Sequence, residues 1–155
     1  MENTPKIRIN RDNIYRIEIN DEGDCIELDL FDIELPIKLA NTITNLKAKD
    51  EEYKKKYKNL EKKYEGLNEK DKNILISRMK DEAELENNLC NDIREELDNL
   101  FGKGMSYKIF GAKNRYGEFR YFMEQFSNEI SKIEVDMKKA RQKLIEQYQE
   151  DREVL

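Results

Sequence analysis

The sequence contains no histidine or tryptophan, and only two prolines, two cysteines and six glycines in 155 residues. Without histidine the chain lacks the commonest general base and a frequent metal ligand. The few glycines and cysteines form neither a phosphate-binding loop nor a cysteine pair with zinc-binding spacing. These absences predict a protein that is not an enzyme and that binds no metal and no cofactor.

Long apolar runs are also missing. No run reaches the ~18 residues that a membrane-spanning helix requires, and the N-terminus lacks the apolar centre of a signal peptide. Cys25 and Cys90 lie far apart in unlike contexts, which is typical of small buried side chains in a reducing compartment. We therefore expect a cytoplasmic protein without a membrane partner.

Charged residues are abundant, at 41% against 37% hydrophobic residues. Long helices can form a stable fold with so few apolar residues, because each helix needs to bury only a narrow apolar stripe. The net charge of −5 is spread in blocks: −6 over residues 1–35, +4 over 36–67, −5 over 68–101, +3 over 102–125 and −1 over 126–155. Alternating blocks favour antiparallel helices that attract one another. No single large basic face results, so we do not expect a nucleic acid as partner.

A heptad-like seam runs through the first half of the chain, interrupted once at Asp50. Its residues are Leu39, Ile43, Leu46, Tyr53, Tyr57, Leu60, Tyr64 and Leu67. Steps of three and four predict one long helix over residues 36–66. The seam needs a cover, which either this chain or a partner supplies. Tyrosine is well suited to protein interfaces, so the candidate partner-binding residues are Tyr53, Tyr57, Leu60 and Tyr64.

Two further helices are predicted, over residues 70–101 and 117–150. The stripe of the second helix includes Leu75, Ile76, Met79, Ala83, Leu89, Cys90, Ile93, Leu97, Leu100 and Phe101. That of the third comprises Phe119, Phe122, Phe126, Ile130, Ile133, Met137, Ala140, Leu144 and Tyr148. Three helices of similar length favour an up-down-up bundle over residues 36–155, with the first and third parallel. Alternatively, one seam stays open for a foreign helix or for another copy in a homo-oligomer.

Residues 1–35 show period-two alternation instead. The three alternating runs fall at residues 7–9, 15–19 and 26–30, with Asn, Asp and Gly between them. Such alternation predicts a three-stranded antiparallel meander, whose small apolar face should dock on the helices. The predicted fold class is therefore α+β and mostly α: a small β-meander at residues 1–35 and a helical bundle after it.

Between the last two helices lies an apolar and aromatic loop. Gly102 and Gly104 end the second helix in the manner of glycine C-caps, and Ser106 is a candidate cap for a single helical turn. Lysines and arginines alternate with aromatic residues from Lys103 to Tyr121. This pattern allows base stacking on nucleic acid, but we favour aromatics that plug the end of the bundle.

The segment from Phe101 to Gly111 resembles one found in tail assembly chaperones of phages and prophages of low-GC Gram-positive bacteria. The positions that match are Phe101, Gly102, Gly104, Lys108, Phe110 and Gly111. Lys103 and Met105 depart from that pattern, standing where an acidic residue and a threonine are expected. The short strands and lysine-rich helices are also similar to those of this family.

The resemblance implies a non-enzymatic protein in the cytoplasm of a bacterial host. Such proteins bind the helical tape measure protein, the tail tube protein, or both, during virion assembly. The Phe101–Gly111 segment would then be a structural loop that joins the second and third helices. Two alternatives stay open: a structural component of the phage tail particle, or a small helical adaptor or regulatory (anti-defence) protein.

Overall fold

The structure is a computed structural model that describes residues 3–151, with side chains described as far as residue 149. Its elements in chain order are β1 Ile14–Glu18, β2 Cys25–Asp29, α1 Leu35–Tyr64, α2 Lys72–Phe101, α3 Met105–Phe110 and α4 Tyr116–Asp151. The mostly helical α+β class is confirmed, and the three long helices fall close to their predicted bounds. The described residues contain two strands where three were predicted, and four helices where three were predicted.

The two strands form an antiparallel hairpin in which Ile17 pairs with Ile26. The Asn20 side-chain oxygen accepts hydrogen bonds from the backbone amides of Glu22 and Asp24, at 3.0 and 3.1 Å, and so shapes the turn. The side chains of Ile26 and Leu28 are buried against the helices. The hairpin therefore shares its core with the helical part of the molecule.

The predicted first strand, at residues 7–9, is wrong. Residues 3–13 form no strand, and the side chains of Ile7 and Ile9 are 96% and 73% exposed. The physical reason is that a strand needs both a ladder partner and a buried face. Two apolar residues provide too little surface to hold this segment against the hairpin.

The segment before α4 that was predicted as a loop contains helix α3. Along this segment the chain runs back toward the middle of α2. After α2 ends at Phe101, the chain returns along that helix until the Asn114 side-chain amide donates to Asn87 and Asn91, at 2.7 and 2.8 Å. Helix α4 thus begins beside the middle of α2 and then follows α2 in the same direction.

The predicted parallel arrangement of the first and last long helices is therefore wrong. Arg120 near the start of α4 contacts Asp50 in the middle of α1. Ile130, further along α4, lines a cleft with Ile43, which is earlier in α1. The two helices run in opposite directions, because the connection between α2 and α4 uses its length to return along α2.

The buried core occupies one half of the α1–α2 hairpin. One cluster joins the β-hairpin to both long helices and α4: Ile26, Leu28, Leu35, Leu39, Leu100, Phe126 and Ile133. The other joins α2, α3 and α4: Leu89, Cys90, Ile93, Leu97, Phe110 and Phe119. We call this half the base. Residues 57–86, which extend beyond the start of α4 and contain only α1 and α2 packed together, are called the arm.

Candidate partner-binding groove

The structural loop predicted from the resemblance lies at the joint between α2 and α4. Helix α3 is capped by the Asp98 carboxylate, which accepts a hydrogen bond from the Ser106 amide at 2.7 Å. Gly104, just before α3, has φ of 87°, a left-handed conformation that glycine adopts without strain. The predicted cap, Ser106, is instead buried inside α3. Sequence reasoning missed Asp98 because it lies eight residues before the turn it caps.

Aromatic packing fixes this joint to the base. The ring of Phe110 stacks on that of Phe119 with centroids 3.8 Å apart, and Phe101 meets Phe126 edge-on at 5.2 Å. The Arg94 guanidinium lies 5.1 Å from the centre of the Phe119 ring. Since Phe110 and Phe119 are buried, they present no ring face to a ligand, whereas Tyr107 and Tyr121 are 64% and 66% exposed. Among the predicted loop residues, Lys108 is exposed and Phe110 is buried.

The start of α4 is held to α1 by a polar and aromatic cluster. Arg120 Nε donates to the Tyr116 hydroxyl at 2.7 Å, and Arg120 Nη1 forms an ion pair with Asp50 Oδ1 at 2.9 Å. The Tyr116 ring packs 5.8 Å from that of Tyr53. Burial opposes ionisation of Asp50, but the cations of Arg120 and Lys54 outweigh it and hold its pKa below the ordinary value. This ion-paired seam position fixes where α4 begins.

Beyond Tyr116, no third helix among the described residues 3–151 covers the surface between α1 and α2 along the arm. We call this surface the arm groove. Near the turn it is lined by Tyr64, Glu69, Ile74, Leu75, Arg78, Met79 and Glu82. At its other end, toward α4, Tyr57 lies near Arg78 and Glu86 lies near Tyr53. Near the turn between the helices it contains an open depression of about 290 Å³. Leu75 and Met79 are 45% and 60% exposed, and Ile76 beside them is 63% exposed.

The four predicted partner-binding residues lie along this part of α1, but in different surroundings. Tyr53 is half-buried beneath Tyr116, whereas Tyr57 is half-buried at the arm groove. Leu60 and Tyr64 are buried between α1 and α2. Leu60 and Tyr64 are therefore covered by this chain itself, whereas Tyr57 is covered only in part. The partner-binding role of the four residues stays a prediction, and Tyr57 is the one that the arm groove presents most openly.

Tyr64 fastens the end of the arm. Its hydroxyl donates to Asp81 Oδ2 at 2.6 Å and lies 2.8 Å from Ser77 Oγ. Lys63 pairs with the same carboxylate at 2.8 Å. Hydrogen bonds from Lys63 and Tyr64 hold the pKa of Asp81 below its ordinary value. These contacts explain why the two helices stay together where their apolar contact is thin.

The residues that sequence reasoning missed are Leu75 and Met79. Both belong to the predicted stripe of the second helix, which we expected to face the interior of a three-helix bundle. They are exposed because α4 begins at the level of Asn87 and covers nothing closer to the turn. Only the sparse apolar content between residues 81 and 88 signalled that the helix changes surroundings there.

The arm groove combines apolar side chains with carboxylates. Arg78 pairs with Glu82 at 3.0 Å and with Glu69 at 3.1 Å, so those acids are partly neutralised. Glu86 forms no ion pair with any described side chain, and its pKa is raised, first by burial and then by the nearby charge of Glu82. The groove therefore suits a ligand with apolar side chains and a cation near Glu86.

Residues 22–154 match a protein family described as "Family of unknown function (DUF6673)". The chain belongs to that family. The matched range includes β2 and all four helices, hence both the base and the arm groove. Neither the curated proteins nor the solved structures yield a match. Since the family description names no activity, the geometry has to supply the functional argument.

The described part of the chain shows neither a membrane-spanning helix nor a metal-holding cluster. No helix within residues 3–151 has the length and apolarity to cross a membrane. The described residues also bring no three His, Cys, Asp or Glu side chains together in a way that would hold a metal ion.

Proposed function

We propose that this protein is a non-enzymatic protein-binding protein of the tail assembly chaperone type, and that it holds an amphipathic helix of its partner in the arm groove. One observation carries the proposal. The arm groove directly continues the groove that α4 fills in the base, and it leaves Leu75 and Met79 uncovered.

A helix is the ligand that this shape favours. In the base, α4 lies against α1 and α2 through aromatic and aliphatic residues spaced three and four apart, such as Phe119, Phe122 and Phe126. A partner helix laid on the same line would meet an equivalent surface formed by Tyr57, Leu75 and Met79. Burying an apolar side chain contributes about 1.5–3 kcal/mol when the burial is complete, so two or three half-exposed residues give useful affinity.

The resemblance suggests which partner to test first. A tape measure protein is a long helix whose apolar stripe would aggregate if it stayed uncovered. The tail assembly chaperones that the Phe101–Gly111 segment resembles act on such helices in the host cytoplasm. The structural role of Phe101 and Phe110 in positioning α4, and hence in setting where the groove opens, supports applying that function here.

Co-expression tests the proposal. The full chain is produced together with the tape measure protein encoded in the same genome, and separately with the tail tube protein, and each pair is purified through a tag on the partner. We expect a stable complex with the tape measure protein. Met79→Lys should abolish it, because the substitution places a cation where an apolar contact is needed. Val135→Lys is the matched control, since Val135 is similarly exposed, at 52%, but lies on α4.

The same experiment can refute the proposal. Absence of a complex with either partner at micromolar concentrations would contradict the chaperone function. Equal binding by wild type and Met79→Lys would show that the arm groove is not the surface used. Mass spectrometry of purified phage particles separates a chaperone from a tail component, because a chaperone should be absent from the finished particle.

A further inference from the structure

The last described part of α4 is a helix with an uncovered apolar face. Residues 141–149 are all exposed, and Leu144, Ile145 and Tyr148 are 40%, 49% and 58% exposed. At helical spacing these three side chains share a face with Lys138 and Arg141. We call residues 138–149 the distal segment of α4.

The charge of this face is opposite to that of the arm groove. Lys138 and Arg141 form no ion pair with any described side chain. In the arm groove, Glu86 is likewise without an ion pair among the described residues, and Glu82 lies close to it. Opposite charges at the edge of matching apolar surfaces favour association and set its register.

The two surfaces also agree in length. The arm groove runs along α1 from the level of Tyr57 to Tyr64, about 11 Å at ~1.5 Å per residue. The exposed residues 141–149 extend about 13 Å on the same basis. The distal segment is thus long enough to lie along the groove.

The direction of α4 shows whether the distal segment can reach the arm groove of its own chain. Helix α4 begins beside Asn87, at the near end of the arm, and runs away from the arm along α2. Its distal segment therefore lies at the opposite end of the molecule from the arm groove. A chain cannot fill its own groove, so the contact has to join two copies.

We propose that the distal segment of α4 from a second copy of this chain docks in the arm groove. Leu144, Ile145 and Tyr148 cover Leu75 and Met79, and Arg141 lies beside Glu86. The contact joins two different surfaces, so it repeats from copy to copy and produces rings or open chains. This contact between copies rests on the groove of the proposed function, but it needs no foreign partner. A foreign partner, when present, competes with the second copy for the arm groove.

The test measures the mass of the isolated full chain by size-exclusion chromatography with light scattering, over a wide range of micromolar concentrations. We expect species larger than a monomer whose population grows with concentration. Lys138→Glu combined with Arg141→Glu should weaken association by about tenfold or more, since like charges then meet at Glu86. The matched control is Lys139→Glu with Lys143→Glu, which makes the same charge change on the opposite face of α4 and should associate like wild type.

A mixing experiment shows whether two different surfaces meet. Met79→Lys damages only the groove, and the Lys138→Glu, Arg141→Glu variant damages only the distal segment. Each variant alone should stay monomeric at a concentration at which wild type associates. Mixed in equal amounts they should form a dimer and nothing larger, because each pair contains one intact groove and one intact distal segment.

Several results would overturn the inference. A wild type that stays monomeric at every concentration would do so, as would a mixture of the two variants that forms no dimer. Association lost by the distal variant but kept by Met79→Lys would show that α4 segments pair with each other instead. Circular dichroism of each variant confirms that it is folded. Because no foreign protein is present, failure here leaves the proposed function standing, and that function is tested separately by co-expression.

Discussion

The base and the arm are built from the same two helices but differ in what covers them. In the base, α3, α4 and the β-hairpin enclose α1 and α2, so that Phe119, Ile133 and Leu97 are completely buried. In the arm, α1 and α2 cover only each other, and Leu75 and Met79 stay exposed. The point at which α4 begins therefore decides which part of one continuous groove becomes core and which becomes surface.

The largest expected effect is a loss of stability on disrupting the core of the base. Phe119→Ala removes a fully buried ring that stacks on Phe110 at 3.8 Å, and we expect a loss of about 3–5 kcal/mol in the free energy of unfolding. Urea denaturation measures it. Tyr121→Ala, on the exposed side of the same helix, should change stability by no more than about 0.5 kcal/mol. A similar loss for both variants would contradict the assigned packing.

A smaller effect is expected at the joint that sends the chain back along α2. Asp98→Ala removes the acceptor for the Ser106 amide, at a cost of about 1–2 kcal/mol, and should speed hydrogen exchange of the α3 amides. Asp98→Asn keeps a side-chain oxygen in place and should cost clearly less. If alanine and asparagine prove equally damaging, capping is not the role of Asp98.

The next prediction separates the arm from the base. Tyr64→Phe keeps the buried ring but removes the hydrogen bonds to Asp81 and Ser77, a loss of about 1 kcal/mol. Hydrogen exchange should quicken at the amides of residues 60–81 and stay unchanged at residues 89–101. Uniform acceleration along both helices would mean that arm and base unfold as one unit.

The smallest effect concerns pH. The pKa of Asp81 is lowered by its hydrogen bonds from Lys63 and Tyr64, so its contribution is fully present above the carboxyl's ordinary pKa. The contribution disappears as pH falls through the lowered value. Acidification should therefore speed exchange at the end of the arm before it affects the base. Asp81→Asn should abolish this pH dependence, and its persistence in that variant would assign it to another group.

Much of the local structure could be predicted from the sequence, since the helices and the hairpin follow from periodicity and turn residues. The path between elements could not. Heptad spacing shows that Leu60 and Tyr64 need a cover, but it does not distinguish α2 of this chain from a partner. The direction of α4 depends on how far the chain returns after Gly102, and this is set by tertiary contacts of Asp98, Arg94 and Asn114. The open groove is a consequence of that path. The seam pattern therefore indicated α1 as the partner-binding helix, but it did not indicate that Leu75 and Met79 of α2 would be exposed.

The most direct test of the central claim is hydrogen exchange on the full chain, with and without the tape measure protein, which is the partner proposed above. The Lys138→Glu, Arg141→Glu variant serves as a second sample in which contacts between copies are suppressed. We expect the partner to slow exchange in residues 57–86 in both samples, and to leave residues 89–101 unchanged. A complex that forms but protects only the base, or that gives the arm no protection, would contradict the account.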